Sequence, residues 1–216
     1  KYCFFKRLLY NKCQVMYMIS ILLIILAYLY GSIPFALVIG KLFYKTDVRN
    51  FGSRNLGGTN TGRVLGKKAG VAVIILDASK ALIIMLLTKY LCSILSLHAD
   101  LPYICALFCV IGHCYPIFAN FKGGKAVSTA IGYFLAVNPI GAILALVVFF
   151  IVLKISKYVS LSSVLASSSV LVSIPFLDIS LIGKLTTAII ILLLVYRHRE
   201  NLKRVKNKTE SKISWM

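Results

Sequence analysis

The sequence predicts an all-α integral membrane protein with about seven transmembrane helices, its N-terminus outside and its C-terminus in the cytoplasm. Of the 216 residues, 59% are hydrophobic and only 14% are charged, whereas soluble domains carry about 25% charged residues. Several apolar stretches reach the roughly 20 residues that a helix needs to cross a bilayer. The 25 Lys and Arg residues, against 6 Asp and Glu, lie mostly between those stretches.

The apolar stretches are separated by recognisable breaks. Gly31 and Pro34 interrupt the first span, and a polar loop over 44–69 follows it. Pro139 divides a long apolar stretch in two, because proline cannot continue the hydrogen bonding of the helix before it. A polar and basic tail ends the chain. The predicted spans cover 18–43, 70–91, 101–118, 127–137, 139–153, 158–175 and 180–196.

An odd number of spans places the two ends of the chain on opposite sides of the membrane. With the tail in the cytoplasm, the loops at 44–69, 119–126 and 154–158 lie there too, and these segments carry most of the Lys and Arg residues. That distribution agrees with the excess of cations in cytoplasmic loops of membrane proteins. The opposite side keeps Lys89, Lys184 and four N-terminal cations.

The first residues are an exception to this distribution, and the chain does not begin with Met. Because the first span begins near Met16 or Met18, we interpret 1–15 as an upstream extension, with a basic N-terminal arm as the alternative. Residues 16–216 are predicted to form a single membrane domain.

The charge balance restricts the class of function. A formal net charge of +19 indicates an anionic partner, such as nucleic acid, lipid headgroups or a charged substrate. The high hydrophobic content argues against nucleic acid. The six cysteines form no C-x-x-C pair, and no His and Cys cluster has zinc-ligand spacing, so no metal site is predicted.

The first polar block, "FGSRNLGGTNTGRVLGKKAG" (51–70), has the composition of an anion site. Glycines at positions 52, 57, 58 and 62 are expected to adopt positive φ, so that successive N–H groups converge on an anion. Ser53, Thr59 and Asn60 add short polar side chains, and Arg63 adds a guanidinium suited to phosphate. The alternative is a flexible cytoplasmic loop. Lys67 and Lys68 are interpreted as topology signals.

Two further polar blocks lie on the same predicted face. In "FKGGKAVSTA" (121–130), two glycines between Lys122 and Lys125 are expected to open a helix, whose N-terminus attracts anions; lysines reaching lipid headgroups are the alternative. In "RHRENLKR" (197–204), His198 and Asn201 share a helical face, and a basic tail without a site is the alternative.

Several residues are first given structural interpretations. Asp77 and Lys80 have the spacing of an ion pair within one helix, and the serines at 160, 162 and 163 are expected to bond back to the backbone. His113 has no Asp five positions later, so the H-x-x-x-x-D acyltransferase box is absent.

Three blocks in order, "GSRNLGGTNTGR", "GHCYPIFANFKGGKAVSTA" and "HRENLKRVKNKTE", resemble the bacterial acyl-phosphate:glycerol-3-phosphate acyltransferases, the PlsY family, over about 18–212. The resemblance implies transfer of a fatty acyl group from acyl phosphate to the 1-hydroxyl of sn-glycerol 3-phosphate in the bacterial cytoplasmic membrane. It implies no cofactor, the lipid bilayer as environment, and a functional link to an enzyme that forms acyl phosphate. Oligomeric state stays open, with a monomer allowed.

The resemblance also implies roles for individual residues. Those matched to catalysis are Ser53, Arg63, Lys122, Lys125, Ser160, His198 and Asn201, with Ser163 as the alternative to Ser160. Together with the glycine-rich pattern of the first two blocks, the resemblance predicts phosphate binding at Gly57, Gly58, Thr59, Asn60, Gly123 and Gly124, although Gly58 stands where the family usually has alanine. Lys208 stands where the family usually has glycine, which is expected to alter the turn in the tail.

Acyl phosphate is an activated donor, so an external base is less necessary and a substrate phosphate can accept the hydroxyl proton. The acyl chain is expected to leave sideways between spans. A transporter for an anionic solute and a scaffold that holds anionic lipid are the rival interpretations. A transporter site is expected near the midplane, often between inverted repeats, and we find no convincing repeat.

Overall fold

The computed structural model describes residues 2–213, with side chains from Cys13 onward, and the described residues form helices and no strand. The prediction of an all-helical chain is therefore confirmed. The α-helices are α1 (Tyr2–Gly31), α2 (Phe35–Tyr44), α3 (Gly58–Leu65), α4 (Lys67–Leu95), α5 (Leu101–Cys114), α6 (Val127–Val137), α7 (Pro139–Ser156), α8 (Val159–Ser173), α9 (Leu181–Arg197) and α10 (Arg199–Lys206).

Five segments in the described part of the chain are long and apolar enough to cross a membrane, and a sixth is added when α9 and α10, which meet at a 49° bend, count as one span. Helix α6 has 11 residues and a length of about 16 Å, which is shorter than the roughly 30 Å hydrocarbon core. The count of seven spans and the orientation of the ends stay predictions.

Both predicted breaks are confirmed. Helix α1 ends at Gly31 and α2 begins at Phe35, directly after Pro34. Helix α6 ends at Val137 and α7 begins with Pro139, which donates no backbone hydrogen bond and is tolerated in the first turn. The intervening Asn138 caps α7 by accepting a hydrogen bond from Gly141 N at 2.9 Å.

The first polar block is more ordered than the sequence indicated, because it contains helix α3. The expectation of positive φ at Gly57, Gly58 and Gly62 is wrong, and in this block only Gly52 and Gly66, among the glycines, adopt it. A Cβ at Gly58 would meet the carbonyl oxygen of Gly70 at 2.8 Å. Gly58 and Gly62 both face Gly70, so the absence of a side chain at these two positions lets α3 pack closely on the start of α4.

The membrane-embedded part is built on packing of α1 and α4 against α5, of α4 against α6, and of α7 against α8. The predicted ion pair is confirmed: Lys80 Nζ lies 2.8 Å from Asp77 Oδ1, and both side chains are buried. Lys80 Nζ also donates to Ile33 O at 2.5 Å and to Gly31 O at 3.3 Å. The pair therefore joins α4 to the break after α1.

The interpretation of 1–15 as an upstream extension stays a prediction. Helix α1 begins at Tyr2 within that segment. Its apolar part, Cys13–Gly31, is long enough for one crossing.

Candidate functional site

Four separate segments meet around one cavity of about 640 Å³ at one end of the helices. They are the segment between α2 and α4, the segment leading into α6, the start of α8, and the tail after α9. The predicted site residues that line the cavity are Ser53, Gly57, Gly58, Thr59, Asn60, Arg63, Lys125, Ser160, His198 and Asn201. The sequence prediction that these segments share one face is thus supported by their meeting in space.

Three helices begin at this cavity. None of α3, α6 and α8 has a side-chain cap on its N-terminus, so their first N–H groups are available to a ligand. The dipole of each helix adds positive potential at the same end. The first-turn residues that line the cavity include Gly58 and Thr59 of α3, Val127 and Ser128 of α6, and Val159 and Ser160 of α8.

The side chain of Asn60 holds the loop before α3 in shape. Its Oδ1 accepts a hydrogen bond from Ser53 N at 2.8 Å, and its Nδ2 donates to Val48 O at 3.0 Å and to Phe51 O at 3.3 Å. The residue is 1% exposed, and these bonds place Ser53 at the cavity wall. This geometry supports a positioning role for Asn60, while its predicted contact with phosphate stays a prediction.

A hydrogen-bonded network joins the second block, α8 and the tail. Lys125 Nζ donates to Asn201 Oδ1 at 2.6 Å, and Asn201 Nδ2 donates to Glu210 Oε1 at 2.6 Å. Ser160 Oγ donates to the same Glu210 oxygen at 3.0 Å, and Arg204 Nε donates to Oε2 at 2.8 Å. Two predicted catalytic residues, Ser160 and Asn201, therefore meet at one carboxylate, and Lys125 joins them through Asn201.

The network shifts the ionisation of two groups. The pKa of Lys125 is lowered to about 8, chiefly by burial, with Glu210 opposing the shift and Arg204, Arg197 and Arg63 adding to it. Burial alone would raise the pKa of Glu210. The hydrogen bonds that it accepts from the network outweigh burial and hold that pKa below its usual value.

The geometry separates the two candidate serines of α8. Ser163 Oγ donates to Val159 O at 2.8 Å, which is the backbone bonding expected for serines in such helices. Ser160 Oγ instead contacts a carboxylate in the site. Ser160 is therefore the better candidate, although both line the cavity.

His198 lies at the bend between α9 and α10 and is 3% exposed. Its Nδ1 lies 2.9 Å from the carbonyl oxygen of Leu194. Since a carbonyl only accepts, Nδ1 is the donor in this pair, and Nε2 is the acceptor nitrogen of the neutral ring. Asn201, three residues on, lines the same cavity.

The glycines of the second block do not form the anion-binding start of a helix that their pattern predicted. Gly123 and Gly124 lie behind the cavity wall and Lys122 is exposed, so among the predicted residues these three do not line the cavity. Helix α6 begins only at Val127. A Cβ at Gly124 would overlap the ring of His113, which gives a packing reason for this glycine.

Arg197 and Glu210 are functional candidates that the sequence analysis did not single out. Arg197 Nε donates to Gly124 O at 3.1 Å, and Nη2 donates to Gly123 O at 3.2 Å. Both residues lie within or beside the tail block that carried the resemblance. Their basic and acidic side chains had no sequence feature that set them apart from the rest of the tail.

The other half of the cavity is apolar and lies between α6, α7 and α8. Its wall is formed by Ile131, Phe134, Ala142, Ala145, Leu146, Phe149, Phe150 and Ala166. Phe150 is 49% exposed on the outer surface of the helices. The cavity thus combines a cationic, N–H-rich end with an apolar end. Within the described part of the chain, no group of three or more His, Cys, Asp or Glu residues is placed to hold a metal ion.

Residues 21–208 match the family model described as glycerol-3-phosphate acyltransferase. The chain is 47% identical to glycerol-3-phosphate acyltransferase 2 of Bacillus anthracis over 195 residues, which cover 90% of this chain and 99% of the relative. It is 48% identical to a glycerol-3-phosphate acyltransferase of Listeria welshimeri, with 91% and 98% covered. For one from Staphylococcus aureus, identity is 42%, with 92% and 100% covered.

Two solved structures are similar along most of the chain. One is a crystal structure of PlsY, an integral membrane glycerol 3-phosphate acyltransferase, in its glycerol 3-phosphate form. It has a TM-score of 0.84 and 38% identity, and the match covers 90% of this chain and 96% of that chain. The lysophosphatidic acid form has a TM-score of 0.81 and 37% identity, with 90% and 95% covered.

Proposed function

The chain belongs to the glycerol-3-phosphate acyltransferase family of membrane enzymes, and we propose that it transfers a fatty acyl group from acyl phosphate to the 1-hydroxyl of sn-glycerol 3-phosphate. The products are lysophosphatidic acid and inorganic phosphate. The observation that carries this proposal is the two-part cavity, since both the donor and the product join a phosphate group to an acyl chain.

The polar end of the cavity suits phosphate groups. Three uncapped helix N-termini and the cations of Arg63, Lys125 and Arg204 surround it. Guanidinium groups and free N–H groups are preferred partners of phosphate oxygens. The apolar end, between α6, α7 and α8, suits a fatty acyl chain that continues into the bilayer past Phe150.

The reaction on this proposal is direct transfer without an acyl-enzyme. The oxygen of the 1-hydroxyl forms a bond to the acyl carbon, the bond from that carbon to the bridging phosphate oxygen breaks, and the hydroxyl proton passes to a phosphate oxygen of the substrates. The activated donor supplies the leaving group. Catalysis then depends on position and on stabilisation of charge.

Contacts within the site support catalysis by substrate position and charge stabilisation without an enzyme nucleophile. Arg63 and Lys125 supply positive charge where the leaving phosphate gains negative charge. Ser160 Oγ donates a hydrogen bond to Glu210, and the lowered pKa of this carboxyl group makes it a weak base for activating the serine as a nucleophile. His198 Nδ1 is engaged with Leu194 O, and His198 is assigned to substrate positioning through Nε2.

The identity of the donor is tested by comparing three donors. Purified protein in lipid bilayers receives glycerol 3-phosphate with palmitoyl phosphate, palmitoyl-CoA or palmitoyl acyl carrier protein. We expect lysophosphatidic acid from palmitoyl phosphate alone. Formation from either thioester at a similar rate would reject acyl phosphate as the specific donor.

The direct mechanism is tested at His198. We expect His198→Ala to weaken substrate binding together with turnover, since the ring positions substrate. A loss of turnover with normal binding of both substrates, measured by calorimetry, would instead identify His198 as a general base and reject transfer of the proton to phosphate.

Seven crossings with a cytoplasmic tail remain the proposed topology, in the bacterial cytoplasmic membrane. The four segments that meet at the cavity support this topology. Along the chain they alternate with the segments at the opposite end of the helices, as successive crossings require. On this proposal the short helix α6 is one crossing, the chain turns at Asn138, and α7 is the return crossing. Single cysteines at Lys154 and Lys184 should react with impermeant thiol reagents from the inside and the outside, respectively; labelling of both from one side would reject this topology.

The proposal also places the enzyme in a sequence of reactions. Acyl phosphate is a reactive mixed anhydride, so an enzyme that forms it must act nearby. We assign no nucleic acid partner and no cofactor, and a monomer has all the named site residues in one chain.

A further inference from the structure

We propose that Arg197 is a positioning residue that holds the loop over 123–125 in its phosphate-binding conformation. The inference rests on the proposed function and deepens it. Arg197 was not among the predicted site residues, and the inference gives it the role of placing Lys125. The ligand of this loop is the phosphate group of either acyl phosphate or glycerol 3-phosphate. Three other parts of the chain contact this short loop.

The two glycine carbonyls of this loop are held by side chains from two other segments of the chain. The guanidinium of Arg197 donates to Gly124 O at 3.1 Å and to Gly123 O at 3.2 Å. Asn55 Nδ2, from the first polar block, also donates to Gly123 O at 3.2 Å. Both carbonyl directions are thereby set by side chains from other segments.

Fixing the carbonyls also fixes the N–H groups. In a trans peptide the N–H points opposite to the preceding C=O, and there is no cis peptide bond among the described residues. Gly124 N accordingly reaches the other side of the loop and donates to His113 O at 3.0 Å. The N–H of Lys125 is turned away from Arg197 in the same way, and no acceptor for it is found among residues 2–213.

The guanidinium is itself held in place. It stacks on the ring of Tyr115 with its central carbon 5.1 Å from the ring centroid, and Tyr28 Oη donates to the carbonyl oxygen of Tyr115 at 2.9 Å. A planar fork with two aligned donors fits two successive carbonyls, whereas a lysine ammonium is a single point of charge. Arginine can therefore hold both carbonyls at once, whereas lysine at this position would hold them less completely.

Position 197 also couples the loop to the tail. Arg197 is the last residue of α9, and His198 follows it at the bend. Lys125, next to the held glycines, donates to Asn201 four residues after Arg197. Arg197 thus fixes the distance between the loop that carries Lys125 and the tail that carries Asn201.

The test uses Arg197→Gln and Arg197→Lys, with Arg199→Gln as the matched control. Arg199 is an exposed cation two residues away that contacts Tyr196 and Glu200. Initial rates are measured for each variant with glycerol 3-phosphate varied at saturating palmitoyl phosphate, and then with the two exchanged. Thermal unfolding in detergent is recorded with and without glycerol 3-phosphate.

We expect Arg197→Gln to raise the KM of one phosphate substrate by about tenfold or more, with kcat changed less than about threefold. Arg197→Lys should recover part of this loss, and Arg199→Gln should match the original protein. The substrate whose KM moves identifies the phosphate that the loop holds.

Unchanged KM values for both substrates would overturn the proposal, and so would a fall in kcat alone. Equal rises in both KM values with a lower unfolding temperature would overturn it as well, because they indicate general destabilisation. If Arg197→Gln does not fold, the Arg197→Lys variant carries the same comparison. The activity of the original protein is measured separately. Its absence would reject the proposed function, whereas normal activity of the original protein with unchanged KM values in Arg197→Gln would reject only this inference.

Discussion

The ionisation of Lys125 gives a pH dependence that tests the cationic end of the cavity. Burial and nearby arginines lower the pKa of this residue to about 8, so its charge is present below that pH and is lost as the pH rises through it. At pH 9 about one tenth of the free enzyme keeps the charge. We therefore predict that kcat/KM falls about tenfold per pH unit above pH 8, because this ratio reports ionisation in the free enzyme.

The substrates set the other limb of the profile. The second ionisation of a phosphate group lies near pH 6, so kcat/KM should also fall in acid. The assay is the initial rate of lysophosphatidic acid formation between pH 5 and 10, with the spontaneous hydrolysis of palmitoyl phosphate subtracted at each pH.

Two variants decide whether Lys125 causes the alkaline limb. Lys125→Arg keeps its charge over this range, so its profile should stay level from pH 8 to 10 although its maximum is lower. Lys154→Arg, a change at an exposed lysine at the end of α7, should keep the alkaline limb. An alkaline limb at the same pH in Lys125→Arg would refute the reasoning.

Three further predictions concern the walls of the cavity. Asn60→Ala should lower the free energy of unfolding by about 2–4 kcal/mol, since it leaves buried backbone groups without partners, and kcat/KM should fall with it; an unchanged chemical denaturation curve would contradict the role of Asn60. Ala145→Phe should reduce activity on palmitoyl phosphate more than on decanoyl phosphate, while Ile143→Phe on the outer face should not, and equal effects would reject the apolar end as the acyl site. Ser160→Ala should reduce kcat/KM at least tenfold more than Ser163→Ala, and the reverse order in the same rate assay would exchange their assignments.

Much of the fold follows from hydropathy and from helix breakers. The breaks at Pro34 and Pro139 were predictable because proline removes a backbone donor wherever it stands. The buried pair of Asp77 and Lys80 was predictable from spacing alone. The helical character of 58–65 was not, because four glycine, asparagine and threonine residues in its first turn have low helix propensity, and packing on Gly70 outweighs that preference.

The roles of the glycines depend on neighbours that sequence order does not reveal. Gly58 and Gly124 resemble flexible anion-binding glycines, but each has another part of the chain at its Cβ position. Conversely, Lys208 adopts a φ of 58°, a left-handed conformation that favours glycine. Lysine therefore stands in a conformation that favours glycine at this turn of the tail, and the expected effect of Lys208 on the turn stays a prediction.

The site residues themselves were found through resemblance, while their partners required the structure. Glu210 joins Ser160, Asn201 and Arg204 through three hydrogen bonds, and its position nine residues after Asn201 gives no periodic signal. Arg197 is one of seven cations in the tail that look alike in sequence. Long-range contacts across the bundle distinguish these two residues from their neighbours.

The central claim is that one cavity brings an acyl phosphate and glycerol 3-phosphate together for direct transfer. Purified protein in lipid bilayers is given both substrates, and inorganic phosphate and lysophosphatidic acid are quantified from the same samples over time. We predict one lysophosphatidic acid for each phosphate released, and no release above background when glycerol 3-phosphate is omitted. Phosphate release without lysophosphatidic acid, or no release in protein that remains folded, would contradict the account.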